Sequence, residues 1–301
     1  MEFSKKELKK LIRYPIFSQL YYIYHLYHRN RVVLGDDNPF RKKYVNLNGA
    51  DWGCVPNVGD YLPKVVFDYM TNRGGVSPHS SKTYHLFTIG SIINFTDSDA
   101  VIWGSGILRP EIAMQLQRKH YIKLDVRAVR GPITRRLLLE CGYKCPEIYG
   151  DPAILMPLIY KPQVTKYRKF GLIIHYNKLE KCDREKYEEA AISVATRDYK
   201  TFINEICGCE KVISSSLHGI ILAESYGIPA IMIQNDVEDQ PMKFFDYYYS
   251  TGRYHFKIAS SIEEAIEMKP MELPELDDLR KGLLDSFPYD IFGKKDTGKG
   301  Q

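Results

Sequence analysis

The chain has 301 residues, 44% hydrophobic and 26% charged, with a net charge of +5. The length suits two domains rather than one, and the composition excludes a disordered chain. Residues 1–31 carry seven basic and two acidic side chains, which accounts for the whole charge excess; a nucleic-acid binder would spread its basic residues over a binding face, so that class is set aside.

Residues 4–29 predict a helix bent near Pro15. Its second part is rich in tyrosine (Tyr21, Tyr22, Tyr24 and Tyr27) between basic ends. It falls short of the roughly 18 apolar residues a membrane span needs. Two readings stand side by side: a peripheral contact with an anionic membrane surface through residues 1–31, or a helix packed on the first domain or on a second subunit.

From about Lys43, strands are predicted at Tyr44–Leu47, His85–Ile89, Ala100–Trp103, Leu124–Ala128 and Glu147–Tyr149, with helices at Asp60–Thr71 and Pro132–Glu140. Pro132 fits a first helical position and Gly142 a helix stop. After Pro162 a second series follows: strands at Phe170–Ile174, Ala190–Ala195, Lys211–Ser214 and Ala230–Ile233, and helices at Tyr199–Cys207, His218–Tyr226 and Ser261–Met268. A last helix, near Glu275–Ser286, is expected to return to the first half, and the Gly- and Lys-rich end from Gly293 to be disordered. Alternating strands and helices imply an α/β fold with parallel sheets. The expected organisation is an N-terminal segment 1–31, a Rossmann-like domain 32–160, a second one 161–270 facing it across a cleft, and a C-terminal helix and tail 271–301. Six cysteines are scattered without zinc-site spacing or a secretory signal, so they read as reduced thiols of a cytoplasmic protein, with no metal site.

Ligands of open α/β sheets bind beyond the carboxyl ends of the strands. The candidates therefore gather at those ends. Asn57-Val-Gly-Asp60 precedes a helix that Asp60 can cap. Gly104-Ser105-Gly106 follows one strand and exposes backbone N–H groups, or simply turns the chain. Arg127 and Arg130 lie at a strand end just before a helix N-terminus, where an anion is favoured by free N–H groups and by guanidinium forks; a structural salt bridge is the alternative. Ser214-Ser215-Ser216-Leu217-His218-Gly219 ends another strand and opens a helix. There the helix dipole disfavours a charged imidazole at His218 until an anion binds. Glu224 faces the loop after its helix or a sugar hydroxyl. Asp151 and Lys243 read as structural first, with substrate contact second.

These pieces occur in a distinctive order: Asn57-Val-Gly-Asp60, Val101-Ile-Trp-Gly-Ser-Gly106, Val126-Arg-Ala-Val-Arg-Gly-Pro-Ile-Thr134, Tyr149-Gly-Asp-Pro-Ala153, Ser214-Ser-Ser-Leu-His-Gly219, Glu224-Ser-Tyr-Gly-Ile-Pro-Ala230 and Lys243-Phe-Phe-Asp-Tyr247. Together, over roughly residues 43–250, they resemble the polysaccharide pyruvyl transferase family. The resemblance implies paired Rossmann-like halves similar to GT-B glycosyltransferases. It also implies phosphoenolpyruvate as donor substrate, a glycan or lipid-linked oligosaccharide as acceptor, and a pyruvate ketal as product, with no further cofactor. The thiols and residues 1–31 together set the expected location in the cytoplasm or at the inner face of the membrane. Family members use an arginine and a Leu-His pair. Leu217-His218 matches the pair and Arg130 the arginine, whereas Ser216 stands where some relatives carry a second arginine.

The resulting expectation is that Arg127 and Arg130 hold the donor anions, with His218 as general acid. Asn57, Asp60, Gly104, Ser105, Ser215, Ser216, Leu217, Gly219, Glu224 and Lys243 then line the substrate site. Two rivals remain: a nucleotide-sugar glycosyltransferase on the same architecture, with Glu224 on the ribose, and a non-catalytic member of a polysaccharide-assembly complex.

Overall fold

Ala100-Val-Ile-Trp103 has no polar face, so as a strand it needs cover on both sides; in the structure, a computed structural model, all four residues are buried. Described are residues 31–34, 43–48, 56–74, 84–119, 121–174, 186–234 and 242–292. The expected helix over 4–29, the tail from Gly293, Cys54 and Cys182 lie outside them.

The first half comprises β1 (Arg31–Leu34), β2 (Lys43–Asn48), α1 (Val58–Gly74), β3 (Tyr84–Phe87), β4 (Ala100–Trp103), α2 (Pro110–Arg118), β5 (Leu124–Ala128) and α3 (Pro132–Glu140). The strands form one sheet in the order β1-β2-β3-β4-β5, parallel except for the antiparallel β1–β2 pair. Side-chain alternation then sorts the two faces. Leu86, Val101 and Trp103 join Leu62, Val66, Phe67 and Met70 of α1 on one side. Phe87, Ala100 and Ile102 join Ala113 and Leu116 of α2 and Leu137 and Leu138 of α3 on the other.

A 3₁₀ turn (Pro152–Leu155) and the short α4 (Met156–Ile159) lead into the second half. This half contains β6 (Arg168–Ile173), α5 (Tyr199–Cys207), β7 (Cys209–Ser214), α6 (Leu217–Ser225), β8 (Ala230–Ile233), α7 (Met242–Ser250), β9 (Ile258–Ala259) and α8 (Ile262–Glu267). Its four strands are all parallel, in the order β6-β7-β8-β9. The chain is thus a mixed α/β protein with parallel sheets, consistent with a Rossmann-like fold.

The middle of the molecule is apolar. Helix α6 is hydrophobic nearly all round, as a helix without a solvent face must be. It belongs to a single cluster with Val66 and Phe67 of α1, Val101 and Trp103 of the first sheet, and Ile173, Val212 and Met232 of the second. A backbone hydrogen bond from Val58 N–H to Val194 O, 2.9 Å, ties the start of α1 to the second half. Helix α9 (Asp277–Ser286) and α10 (Tyr289–Phe292) return to the first sheet. There Trp103 Nε1–H donates to Leu283 O at 3.0 Å, and the indole meets Phe287 edge-on with centroids 4.9 Å apart.

Two expected strands shrink to single bridges. Residues 190–195 contribute only Ala191, paired with Leu172, and 147–149 contribute only Tyr149, paired with Val129. In the first case the chain leaves the ladder after Ile192 N–H bonds Leu172 O, and carries Val194 across to meet Val58. Helices α2 and α7 and the edge strands β1 and β9 were not anticipated; α7 is the consequential omission.

Candidate functional site

The parallel strands deliver their following loops to one end of each sheet, and there the loops are stitched together. Gly104 N–H donates to Ala128 O at 2.9 Å, Gly106 N–H to Gly90 O at 2.9 Å, and Arg130 N–H to Ser105 O at 3.0 Å. Gly104 has φ +83°, and a Cβ there would overlap Pro152, so only glycine lets the two loops close on each other. Beyond the Val129–Tyr149 bridge, Gly150 turns at φ +141° and sets Asp151 beside this junction.

Arg130 lies at the centre, with no exposed surface. Its Nε donates to Asp246 Oδ2 at 3.1 Å, Nη1 to Ser91 Oγ at 2.5 Å and Nη2 to Ile107 O at 3.4 Å. Gly106 leaves the room in which the guanidinium lies. Asp246, on α7, is equally buried. Its Oδ1 accepts the N–H groups of Ile133 and Thr134 at 2.9 and 3.0 Å, and its Oδ2 also accepts the Thr134 hydroxyl at 2.7 Å. The first turn of α3 does bind an anion, as its free N–H groups and dipole require, but the anion is the protein's own carboxylate. The expectation that Arg130 grips a donor anion directly is revised accordingly: its fork is occupied from inside.

His218 is the second residue of α6, with its side chain 18% exposed. Its Nδ1 edge lies against Gly59, where any Cβ would overlap the ring. Its Nε2 points at Asp151 Oδ2, 4.0 Å away. Asp151 is fully buried; its Oδ1 accepts the Ala153 N–H at 3.0 Å, capping the 3₁₀ turn. Burial pushes the Asp151 carboxyl up to about 6, against the pull of the Ala153 N–H and the Arg130 charge. Asn57 holds the Gly59 loop, its Oδ1 accepting the N–H groups of Gly59 at 2.9 Å and Asp60 at 3.4 Å. Asn57, rather than Asp60, is therefore the cap of α1.

The other candidates divide. Ser215 and Ser216 lie just before His218 in the turn from β7, where Ser214 Oγ accepts the Ser216 N–H at 3.0 Å; the Ser216 hydroxyl makes no cap bond to α6. Leu217 is core, and Gly219 admits α6 close against Ser214 and Ile173. Ser105 donates its hydroxyl to Gly90 O at 2.8 Å, shaping the loop.

Three residues do not join the cluster. Arg127 is clamped by Asp125 (Nε to Oδ1 2.6 Å) and by Asp290 of α10 (Nη2 to Oδ2 2.8 Å), and lines a surface groove with Ile148 and Phe287. As a strand residue adjacent to buried Val126 and Ala128, it projects to the opposite face from theirs. Glu224 is buried and accepts a bidentate fork from Arg253 at 2.6 and 2.7 Å and the Tyr247 hydroxyl at 2.7 Å. With its oxygens held internally, it is not set to meet a sugar. Lys243 lies with its Nζ 5.2 Å from the Phe244 ring centroid. Reading the sequence undervalued Asp151 and missed Asp246, whose one local sign is an acid inside the aromatic run Phe244-Phe245-Asp246-Tyr247-Tyr248-Tyr249. The buried Cys145 and half-buried Cys207 thiols are poor nucleophiles, desolvation holding them at about 12 and about 11.

Parallel sheets with covering helices make this a protein of the Rossmann-like α/β class, with the His218 imidazole and the buried Asp151 carboxylate facing each other beyond the strand ends. A sequence model of the polysaccharide pyruvyl transferase family matches residues 5–237. The chain belongs to that family, whose members carry out pyruvyl transfer in polysaccharide synthesis. It is also similar to a protein of Acanthamoeba polyphaga mimivirus described as "Uncharacterized protein L143", with 30% identity over 176 residues, 54% of this chain and 58% of that protein. The chain therefore aligns with less than two thirds of that relative's length. No solved structure matches. Among the described residues, no helix is long and apolar enough to cross a membrane.

Proposed function

We propose that this chain transfers pyruvate from phosphoenolpyruvate to two hydroxyls of one hexose in a polysaccharide or its lipid-linked precursor, forming a pyruvate ketal. The carrying observation is the placement of His218 at the mouth of α6, between Asp151 and the Asn57–Gly59 loop, within a chain of this family. In this reading the two sheets are the paired Rossmann-like halves of a GT-B-like enzyme.

The chemistry asks for one proton in the right place. His218 gives its proton to the methylene carbon, which makes the central carbon electrophilic. One sugar hydroxyl adds there and returns its proton to the imidazole. Phosphate leaves, the second hydroxyl adds, and its proton departs with the phosphate. Donor anions meet the N–H groups at the start of α6 and the Ser215 and Ser216 hydroxyls. Arg130 contributes from behind, as a buried positive charge next to Asp151.

Incubation of the protein with phosphoenolpyruvate and candidate glycans tests this reading. It requires inorganic phosphate to appear together with a pyruvylated glycan in the mass spectrum. Release of a nucleotide from a nucleotide sugar instead would establish the glycosyltransferase reading, which the internal pairing of Glu224 disfavours. Gly59→Ala supplies a finer check. The added methyl overlaps the imidazole, so turnover is expected to fall about 10²-fold through misplacement, while stability drops by about 1–3 kcal/mol from overpacking. Unchanged turnover in that variant removes the Gly59 contact from the working site.

A further inference from the structure

We infer that Asp151 is the positioning carboxylate of His218: it holds the proton on Nε2 and so fixes the tautomer and orientation of the ring. The inference deepens the reading above and rests on His218 being its acid. Three features of Asp151 lead to it. Its backbone is fixed, by the Val129–Tyr149 bridge before it and the 3₁₀ turn after it. One carboxylate oxygen is spent on the Ala153 N–H, which locks the orientation of the group. The other, Oδ2, is buried, has no hydrogen-bond partner among the described residues and faces His218 Nε2 at 4.0 Å.

A buried carboxylate oxygen with an open acceptor position is costly, and such positions are kept where they do something. Catalytic contacts are often long before a ligand arrives and shorten when it binds. A ring shift of about 1 Å brings Nε2 into hydrogen-bond range of Oδ2. The charged groups around Asp151 are Arg130, which favours its ionised form, Asp246, which opposes it, and His218 itself. Burial dominates, so the carboxyl titrates at about 6, above its ordinary 3.8.

Two pH effects follow. A carboxyl whose folded value is raised lends stability that is full below about 4 and lost as pH rises past about 6. Turnover runs the other way, because only the ionised carboxylate accepts the Nε2 proton; it is expected to fall as pH drops through about 6.

The test is Asp151→Asn in the full-length protein, since asparagine keeps an acceptor for the Ala153 N–H. Imidazole nitrogen shifts of His218, assigned with the His218→Ala protein, should report the Nε2–H tautomer in the native chain and lose that preference in the variant. With phosphoenolpyruvate and an accepted glycan, kcat should fall about 10²–10⁴-fold, with KM within about threefold and the acid limb near pH 6 abolished. Unchanged nitrogen shifts and an unchanged pH profile would overturn the inference. If the variant does not fold, the native nitrogen shifts decide: they must record a neighbouring ionisation near pH 6, and a flat response there refutes the pairing. Native protein that releases no phosphate from phosphoenolpyruvate, yet shows the tautomer response, refutes the proposed reaction and leaves the pairing standing. An active native protein with an indifferent ring does the reverse.

Discussion

The His218→Ala protein is expected to fold as the native chain does and to form ketal about 10²–10⁴-fold more slowly. The side chain is partly exposed at the start of α6 and packs against backbone at Gly59. Its removal therefore takes away the imidazole without hollowing the core. A loss of that order corresponds to about 3–5 kcal/mol of barrier, the range of a single well-placed acid. The effect should fall on kcat rather than KM, because the imidazole acts on a carbon that becomes basic only as the reaction proceeds. Steady-state kinetics with phosphate release as the readout, alongside a thermal melt, separate the two quantities. Turnover within about threefold of native would take His218 out of the chemistry.

Asp246→Ala is expected to be the most destabilising single change, costing about 3–5 kcal/mol in chemical denaturation. Removing the carboxylate strands the buried Arg130 guanidinium without its ion-pair partner. It also orphans the Ile133 and Thr134 N–H groups that the same carboxylate satisfies. Asp246→Asn combined with Arg130→Met separates these contributions. The amide oxygen can still accept at the start of α3, and the stranded guanidinium is gone, so the double variant should recover most of the loss. A single Asp246→Ala variant within about 1 kcal/mol of native would show that the pair contributes nothing net.

Local pattern carried a good part of the fold. Ala100–Trp103, Leu124–Ala128 and Ala230–Ile233 are short apolar or alternating runs between turn-forming residues, and each is a strand with the expected limits. Pro132 and the turn at Gly142 bracket α3 in the same way. The failures are non-local. Residues 190–195 have strand composition, yet Val194 is drawn away to the start of α1, far off in sequence. The occupant of the α3 N-terminus comes from Asp246, more than a hundred positions later. Helix-end chemistry told that an anion belongs there; nothing local told whose. Likewise Arg127 and Arg130, three residues apart, looked like one fork, but strand alternation and the turn after β5 send one to Asp290 and the other to Asp246.

The apolar seam through α1 and α6 has a mechanical consequence. A hinged enzyme closes by swinging one half against the other, which demands a thin, wet boundary. Here Leu86, Trp103, Val66, Leu222 and Met232 belong to one dry cluster. Prising the halves apart would bare that cluster to water, which the hydrophobic effect opposes. Heating should therefore melt both halves in one step.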